Sequence, residues 1–262
     1  MTKIGSPLFI LREACEKDLM EVLEKLGELG FDGVEFLGLF NHKPADIKKK
    51  MDSCRLVAIG DHVPFDEFVK NTDKVIDDHK EMGCAYITIG PPASHNLPGG
   101  ENYAYTIKAI ENIGAAMHNA GLTLLYHNHA EELRHIVNGK AALEHILDDI
   151  SPDALSLEPD LGWIQIGGGD PMYYLEKYKS RCPVVHFKDY VPTSTSGNEA
   201  FLFRPTGYGV MDNAELYKKT LSLDPQPLWY IMDHDCAYGR DIYKDLDMSL
   251  DYFKNLMTVT DR

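Results

Sequence analysis

Four short stretches of this sequence crowd acids and imidazoles together where an apolar run stops. They are His127-Asn128-His129-Ala130-Glu131-Glu132, Glu158-Pro159-Asp160, His186-Phe187-Lys188-Asp189 and Asp233-His234-Asp235. Carboxylates mixed with imidazole and no thiolate form a hard to borderline donor set, which suits a divalent cation, Mn2+ or Mg2+ before Zn2+ or Co2+. A single histidine at such a place is more often a hydrogen-bonded structural residue. Several carboxylates gathered at one spot are costly, however, unless a cation or a shared proton offsets their charge. His127, His129 and Glu132 are the candidate proton carriers, because imidazole and a desolvated carboxylate both titrate near neutral pH.

These stretches meet only if the elements before them converge. Short apolar runs rich in β-branched or aromatic residues recur, each followed by a polar turn and a longer segment of helical spacing, the pattern of βα units around a parallel sheet. Eight strand candidates can be drawn: Leu8–Leu11, Gly33–Leu37, Leu56–Ile59, Ala85–Ile89, Thr123–Tyr126, Ala154–Leu157, Val184–Phe187 and Leu228–Met232. Leu19, Val22, Leu23, Leu26 and Leu29 fall on one face of the first helix, which Gly30 should stop. Met82-Gly83 and Ala120-Gly121 repeat that punctuation, and Asp170-Pro171 should open a helix with the acid as its cap. The fold class is therefore α/β, a single (β/α)8 TIM barrel over residues 1–262, and in such a barrel the carboxyl ends of the strands share one mouth. The irregular stretch Val191 to Tyr208 is too long for an ordinary connection.

Composition excludes other classes. With 262 residues, 44% hydrophobic and 26% charged, the chain can bury a sizeable core. A formal charge of -15 repels a phosphate backbone, so no nucleic acid is expected as a partner. Lys48-Lys49-Lys50 reads as a solvated helix face. Five cysteines without a CxxC pair suggest neither disulfides nor a zinc knuckle and fit a reducing cytoplasm. No run is long enough for a signal peptide or a membrane span, so no membrane is expected. Homo-oligomerisation stays open.

The chain resembles the sugar phosphate isomerase/epimerase group with a xylose isomerase-like barrel. The likeness covers nearly the whole length and rests on LREACEKDLMEVLEKLGELGFDGVEF, YHNHAEEL, EPDLGW, DPMYYLEKYKSRCPVVHFKD, GYGVMD and WYIMDHD. It implies that Asp160, His186 and Asp233 bind the metal, with Asp233 where relatives more often carry glutamate. It implies Glu132 as the ligand from the fifth strand, with His127 as rival. Arg204, ahead of Gly207-Tyr208-Gly209, stands where epimerases of this fold grip substrate, or is an ordinary solvated arginine. Trp163 would wall a sugar ring or pack in the core. Lys188 and Glu158, each two residues from a proposed ligand, would face substrate or support the ligands. Gly167-Gly168-Gly169 lacks a phosphate-loop pattern and reads as a flexible loop, and Cys236 as a small buried residue.

The expected activity is a divalent-metal-dependent isomerase or epimerase working on a keto or aldo sugar, or a polyol derivative, through an enediolate. Expulsion of a leaving group from the same enediolate would make it a keto-sugar lyase or an inosose-type dehydratase. A non-catalytic sugar-binding barrel is the alternative of another class, and an abasic-site endonuclease is disfavoured by the charge.

Overall fold

The first strand lies earlier than the hydrophobicity suggests, at Lys3–Pro7. Leu8–Leu11, the expected strand, is instead the turn at the barrel mouth that leads into the first helix at Arg12. The reason is space. A Cβ at Gly5 would sit 2.4 Å from the Ile59 side chain and 2.7 Å from that of Ile231, so small residues occupy the barrel interior there and the run loses its apolar signature.

The structure, a computed structural model, describes residues 3–90, 93–194 and 200–260. Its strands in chain order are β1 (Lys3–Pro7), β2 (Gly33–Phe36), β3 (Val57–Asp61), β4 (Tyr86–Ile89), β5 (Thr123–His127), β6 (Ile136–Val137), β7 (Lys140–Ala141), β8 (Ser156–Glu158), β9 (Val184–Pro192), β10 (Phe201–Arg204) and β11 (Trp229–Asp233). The helices are α1 (Arg12–Leu29), α2 (Pro44–Cys54), α3 (Phe65–Met82), α4 (Tyr103–Ala120), α5 (Ala130–Arg134), α6 (Ala142–Asp149), α7 (Leu161–Ile166), α8 (Pro171–Lys177), α9 (Asn213–Leu221) and α10 (Ile242–Thr260). Helix ends follow the expected punctuation: Gly30, Gly83 and Gly121 take left-handed conformations after α1, α3 and α4, and the Asp170 carboxylate accepts from the Met172 amide at 2.9 Å to open α8.

Parallel pairing runs β9-β11-β1-β2-β3 and, separately, β4-β5-β8. Single bridges, His62 to Thr88 and Asp160 to His186, join the two arcs into a ring. Both seams lie at the carboxyl ends of strands, so the ring closes through residues of the mouth. Inside it, Ile59, Tyr86, Leu125, Val184, Trp229 and Ile231 pack as a buried layer, while the larger core fills the space between ring and helices. The long stretch after the seventh ring strand is a hairpin: β10 pairs antiparallel with the extended β9, Arg204 opposite Asp189. Residues 195–199 of that stretch lie outside the described residues. Lys48 pairs with Asp52 and Lys50 with Glu24, as a solvated face should.

Candidate metal centre

The barrel delivers His127, Asp160, His186 and Asp233 to one place. One donor atom from each lies within 4.8 Å of the others, and all four residues are buried. Backbone register does much of this. His127 sits directly opposite Glu158 across β5 and β8, and His186 and Lys188 share a face of β9, with Lys188 opposite Asp233.

Asp160 is held hardest. Its Oδ1 accepts from the Trp163 amide at 2.8 Å and caps α7, which leaves Oδ2 for the mouth. Its main chain is clamped by the buried Asn128 side chain, whose Oδ1 accepts from the Asp160 amide at 3.1 Å while Nδ2 donates to the Asp160 carbonyl at 3.3 Å. The central residue of HNH thus acts as a strand substitute where Pro159 offers no N–H.

Glu132 is placed elsewhere, and its expected part as ligand is corrected. After His129 the chain turns into α5, so Glu132 becomes the third helical residue. Its Oε2 accepts from the His129 amide at 3.2 Å and its Oε1 from the Tyr126 hydroxyl at 2.9 Å. Burial pushes its carboxyl up to about 7, against the hydrogen bonds that favour the charged form. Among the described residues, the fifth-strand side chain that reaches the cluster is His127.

Two groups that sequence reasoning passed over complete the site. Glu35 is the third residue of the four in β2 and His62 follows β3, both at the same mouth. His62 Nε2 lies 3.0 Å from Glu35 and 3.3 Å from Glu158, and His186 Nε2 lies 3.1 Å from Glu35. Comparing all the strand ends, rather than the last four, would have flagged both. A second grouping of donor atoms results: His62, His127, Glu158 and His186.

His127 and His186 bridge the two groupings through opposite ring nitrogens. His127 turns Nδ1 to Glu158 at 3.2 Å and Nε2 toward Asp160 at 3.7 Å. His186 turns Nε2 to Glu35 and Nδ1 to Asp233 at 3.0 Å. A neutral imidazole that gives one nitrogen to a cation keeps its proton on the other, where a carboxylate fixes the ring. Glu158 and Glu35 are placed for that duty toward the aspartate side.

Lys188 sits in the middle. Its ammonium is 2.9 Å from Asp160, 3.0 Å from Asp233 and 2.6 Å from Asp235, and 99% of its surface is covered, since only 1% remains exposed. A positive charge therefore already leans on the two aspartates, and Asp233 Oδ1 is still buried without a hydrogen-bond partner. Two oxygen and two nitrogen donors, with Asp160 Oδ2 and Asp233 Oδ1 both lacking a hydrogen-bond partner among the described residues, and a local excess of carboxylate fit a divalent cation.

Electrostatics follow from this crowding. Burial opposes the charge of His62, but Glu35 and Glu158 outweigh it and raise its pKa to about 10. Burial likewise opposes charge on Asp233, yet Lys188 and His186 hold it below the usual carboxylate range. Burial raises Asp160 to about 6 despite Lys188. His127 is driven well down by burial and by His186 and His62, so it stays neutral. For His186 the effect of burial is outweighed by Glu35 and Glu158, which raise its pKa, so a cation bound there would have to displace its second proton.

A cavity of about 260 Å³ opens over these groups, reaching Glu35, His62, His127, His129, His186, Lys188, Asp233 and Asp235, with an apolar wall that includes Phe9, Phe36 and Leu37. His129 lies in it with its Nδ1 unpartnered. Trp163 stands behind His129, ring centroids 5.3 Å apart, and meets Phe201 and Phe203 edge-on. Arg204 donates to the Phe203 carbonyl and does not line the cavity. His234 turns the other way, toward Asp245, and Cys236 is exposed rather than buried.

The profile of the family described as xylose isomerase-like TIM barrel matches residues 23–223. An inosose dehydratase of Bacillus cereus is 24% identical over 196 residues, 67% of this chain and 64% of the relative's own length. A sugar phosphate isomerase/epimerase from Parabacteroides distasonis superposes with a TM-score of 0.77 at 20% identity, covering 97% of this chain and 94% of the other. The IOLI protein, solved with a binding zinc atom, superposes with a TM-score of 0.75 at 11% identity, covering 97% and 98%. Among the described residues, no helix is long and apolar enough to cross a membrane.

Proposed function

The chain belongs to the xylose isomerase-like TIM barrel family, and from that premise we propose that it is a divalent-cation-dependent enzyme that removes the acidic proton beside the carbonyl of a keto sugar or inosose. The observation that carries this reading is the convergence of His127, Asp160, His186 and Asp233 beneath a single-ring-sized cavity. His127 Nε2, Asp160 Oδ2, His186 Nδ1 and Asp233 would hold the cation, whose charge, when bound, makes a carbon next to a carbonyl more acidic.

The protein's own groups supply the rest. Glu158 and Glu35 orient the two imidazoles through their second nitrogens. His62 and His129 flank His127 on either side, ring centroids 5.0 Å and 5.2 Å away, and both line the cavity. His129 offers an unpartnered ring nitrogen as a weak base, since burial and then Lys188 lower its pKa to about 3, and His62, held charged between two glutamates, can donate a proton. Lys188 and Asp235 line the same cavity and are placed to meet substrate oxygens. Protonation of a departing hydroxyl gives dehydration, the outcome named for the inosose dehydratase relatives; return of the proton to carbon gives isomerisation or epimerisation, as the Parabacteroides neighbour is named. We read dehydration first, with Mn2+ as the favoured cation.

The test is solvent-deuterium uptake at the carbon beside the carbonyl, followed by mass spectrometry on inososes and keto sugars with cation-loaded protein. Exchange that requires the cation, with or without net water loss, supports the reading. Loaded protein that binds these compounds yet exchanges no deuterium ends it.

A further inference from the structure

Barrels of this architecture frequently hold a substrate phosphate in the loops after the seventh and eighth strands, on backbone N–H groups and helix N-termini. Here that machinery faces inward. After β9, the seventh strand of the ring, the buried Asp189 carboxylate accepts from the amides of Tyr190 at 2.9 Å, Gly207 at 3.0 Å, Gly209 at 3.0 Å and Met211 at 3.1 Å, and from the Asn213 side chain at 3.0 Å. The intervening amides are spent too: Thr206 on Ser249, Tyr208 on the Pro205 carbonyl and Val210 on the Tyr190 carbonyl. A Cβ at Gly209 would lie 2.1 Å from Asp189 Oδ1, so the loop has closed tightly on its own anion.

The other anion seats are filled in the same way. Aspartates cap the helices that follow the last three ring strands: Asp160 for α7, Asp170 for α8, Asp212 for α9 and Asp241 for α10. The amides of Gly167, Gly168 and Gly169 donate to the carbonyls of Trp163, Gln165 and Ile164, so that glycine run offers nothing to a ligand.

Cationic side chains add little: His62 is held between Glu35 and Glu158, and Arg204, in the loop after the seventh ring strand, donates to the Phe203 carbonyl and lies outside the cavity lining. Lys188 is the lysine of the cavity, and three aspartates hold it. Arg12, at the rim, donates to the carbonyls of Phe9 and Asp235 and lies over the Phe9 ring. Residues 91–92 and 195–199, outside the described structure, contain no lysine or arginine in the sequence.

From these placements we infer that the site takes an unphosphorylated polyol or keto sugar, and that Asp189 is a built-in anion standing where a substrate phosphate would otherwise be held. The inference deepens the proposed sugar chemistry and rests on it only for the word sugar; refusal of phosphate stands on the amide geometry.

Two probes test it on the whole, cation-loaded chain. Inorganic phosphate, compared with chloride at equal ionic strength, leaves the melting temperature of the wild type unchanged, whereas it raises that of Asp189→Ser, whose vacated cradle admits the ion. In calorimetric titrations, fructose binds at least an order of magnitude more tightly than its terminal phosphate ester. The inference is overturned if phosphate stabilises the wild type saturably, if the ester binds as tightly as the free sugar, or if a folded Asp189→Ser ignores phosphate. Should that variant not fold, the wild-type phosphate measurement decides alone. If neither sugar form binds while phosphate is still refused, the sugar reading of the site fails and the anion exclusion holds.

Discussion

Replacing Asn128 by alanine should loosen the cation site without touching a ligand. The side chain is wholly buried and makes two hydrogen bonds to the main chain of Asp160. Their loss is unequal in effect. The Asp160 carbonyl keeps a second partner, the Ile164 amide at 3.0 Å, so its share is an ordinary hydrogen bond, about 0.5–1.5 kcal/mol. The Asp160 amide has no other partner among the described residues and is left unsatisfied in the interior, roughly 1–3 kcal/mol. The sum is about 1.5–4.5 kcal/mol of stability. Because the same bonds fix the backbone beneath Oδ2, cation affinity should fall roughly 10–100-fold, the usual cost of losing an outer partner. Urea unfolding monitored by circular dichroism reads the first quantity and calorimetric Mn2+ titration the second. A variant within about 0.5 kcal/mol of wild type, with unchanged cation affinity, would refute the clamp.

Further outcomes follow from the same geometry. Glu132→Gln should cost about 1 kcal/mol and leave Mn2+ affinity intact, whereas His127→Ala should lose more than the roughly 10–100-fold of an outer partner; equal losses in the two titrations would reverse the assignment of the fifth-strand ligand. Gly209→Ala forces a methyl against Asp189 and should destabilise by about 1–3 kcal/mol or more, measured by thermal unfolding; a neutral effect would mean the loop can relax. His79 is buried against Asp61 at 2.8 Å, and although burial opposes its charge, the carboxylate raises its pKa. A raised folded-state pKa stabilises below the unfolded value and fades as pH rises through the folded one. The stability gap between wild type and Asp61→Asn should therefore be widest in mild acid, above the carboxylate range, and narrow as pH rises; a gap that widens in urea titrations across that range would contradict the pair.

How much of this could be read from residues alone depended on where polarity broke an apolar run. The ends of β5, β8 and β11 and the middle of β9 announced themselves because hydrophobic stretches stop there in acids and histidines. Glu35 did not, because GVEF buries a single acid inside a four-residue strand. His62 lies just past Asp61 in a strand that outlasts its apolar run. β1 was hidden because a crowded barrel interior demanded glycine at position 5 instead of a branched residue. Glu132 was misassigned because linear spacing does not show that the chain becomes helical at Ala130, turning a would-be ligand toward Tyr126 and its own helix start. Asn128 gave no signal at all: its work is a pair of tertiary hydrogen bonds made across 32 residues.

The measurement closest to the centre of the account is anomalous diffraction from crystals soaked in Mn2+. A single peak within coordination distance of His127 Nε2, Asp160 Oδ2, His186 Nδ1 and Asp233 is the expected result. A peak seated instead among His62, Glu35 and Glu158, or a soaked crystal with no peak at the mouth, would contradict it.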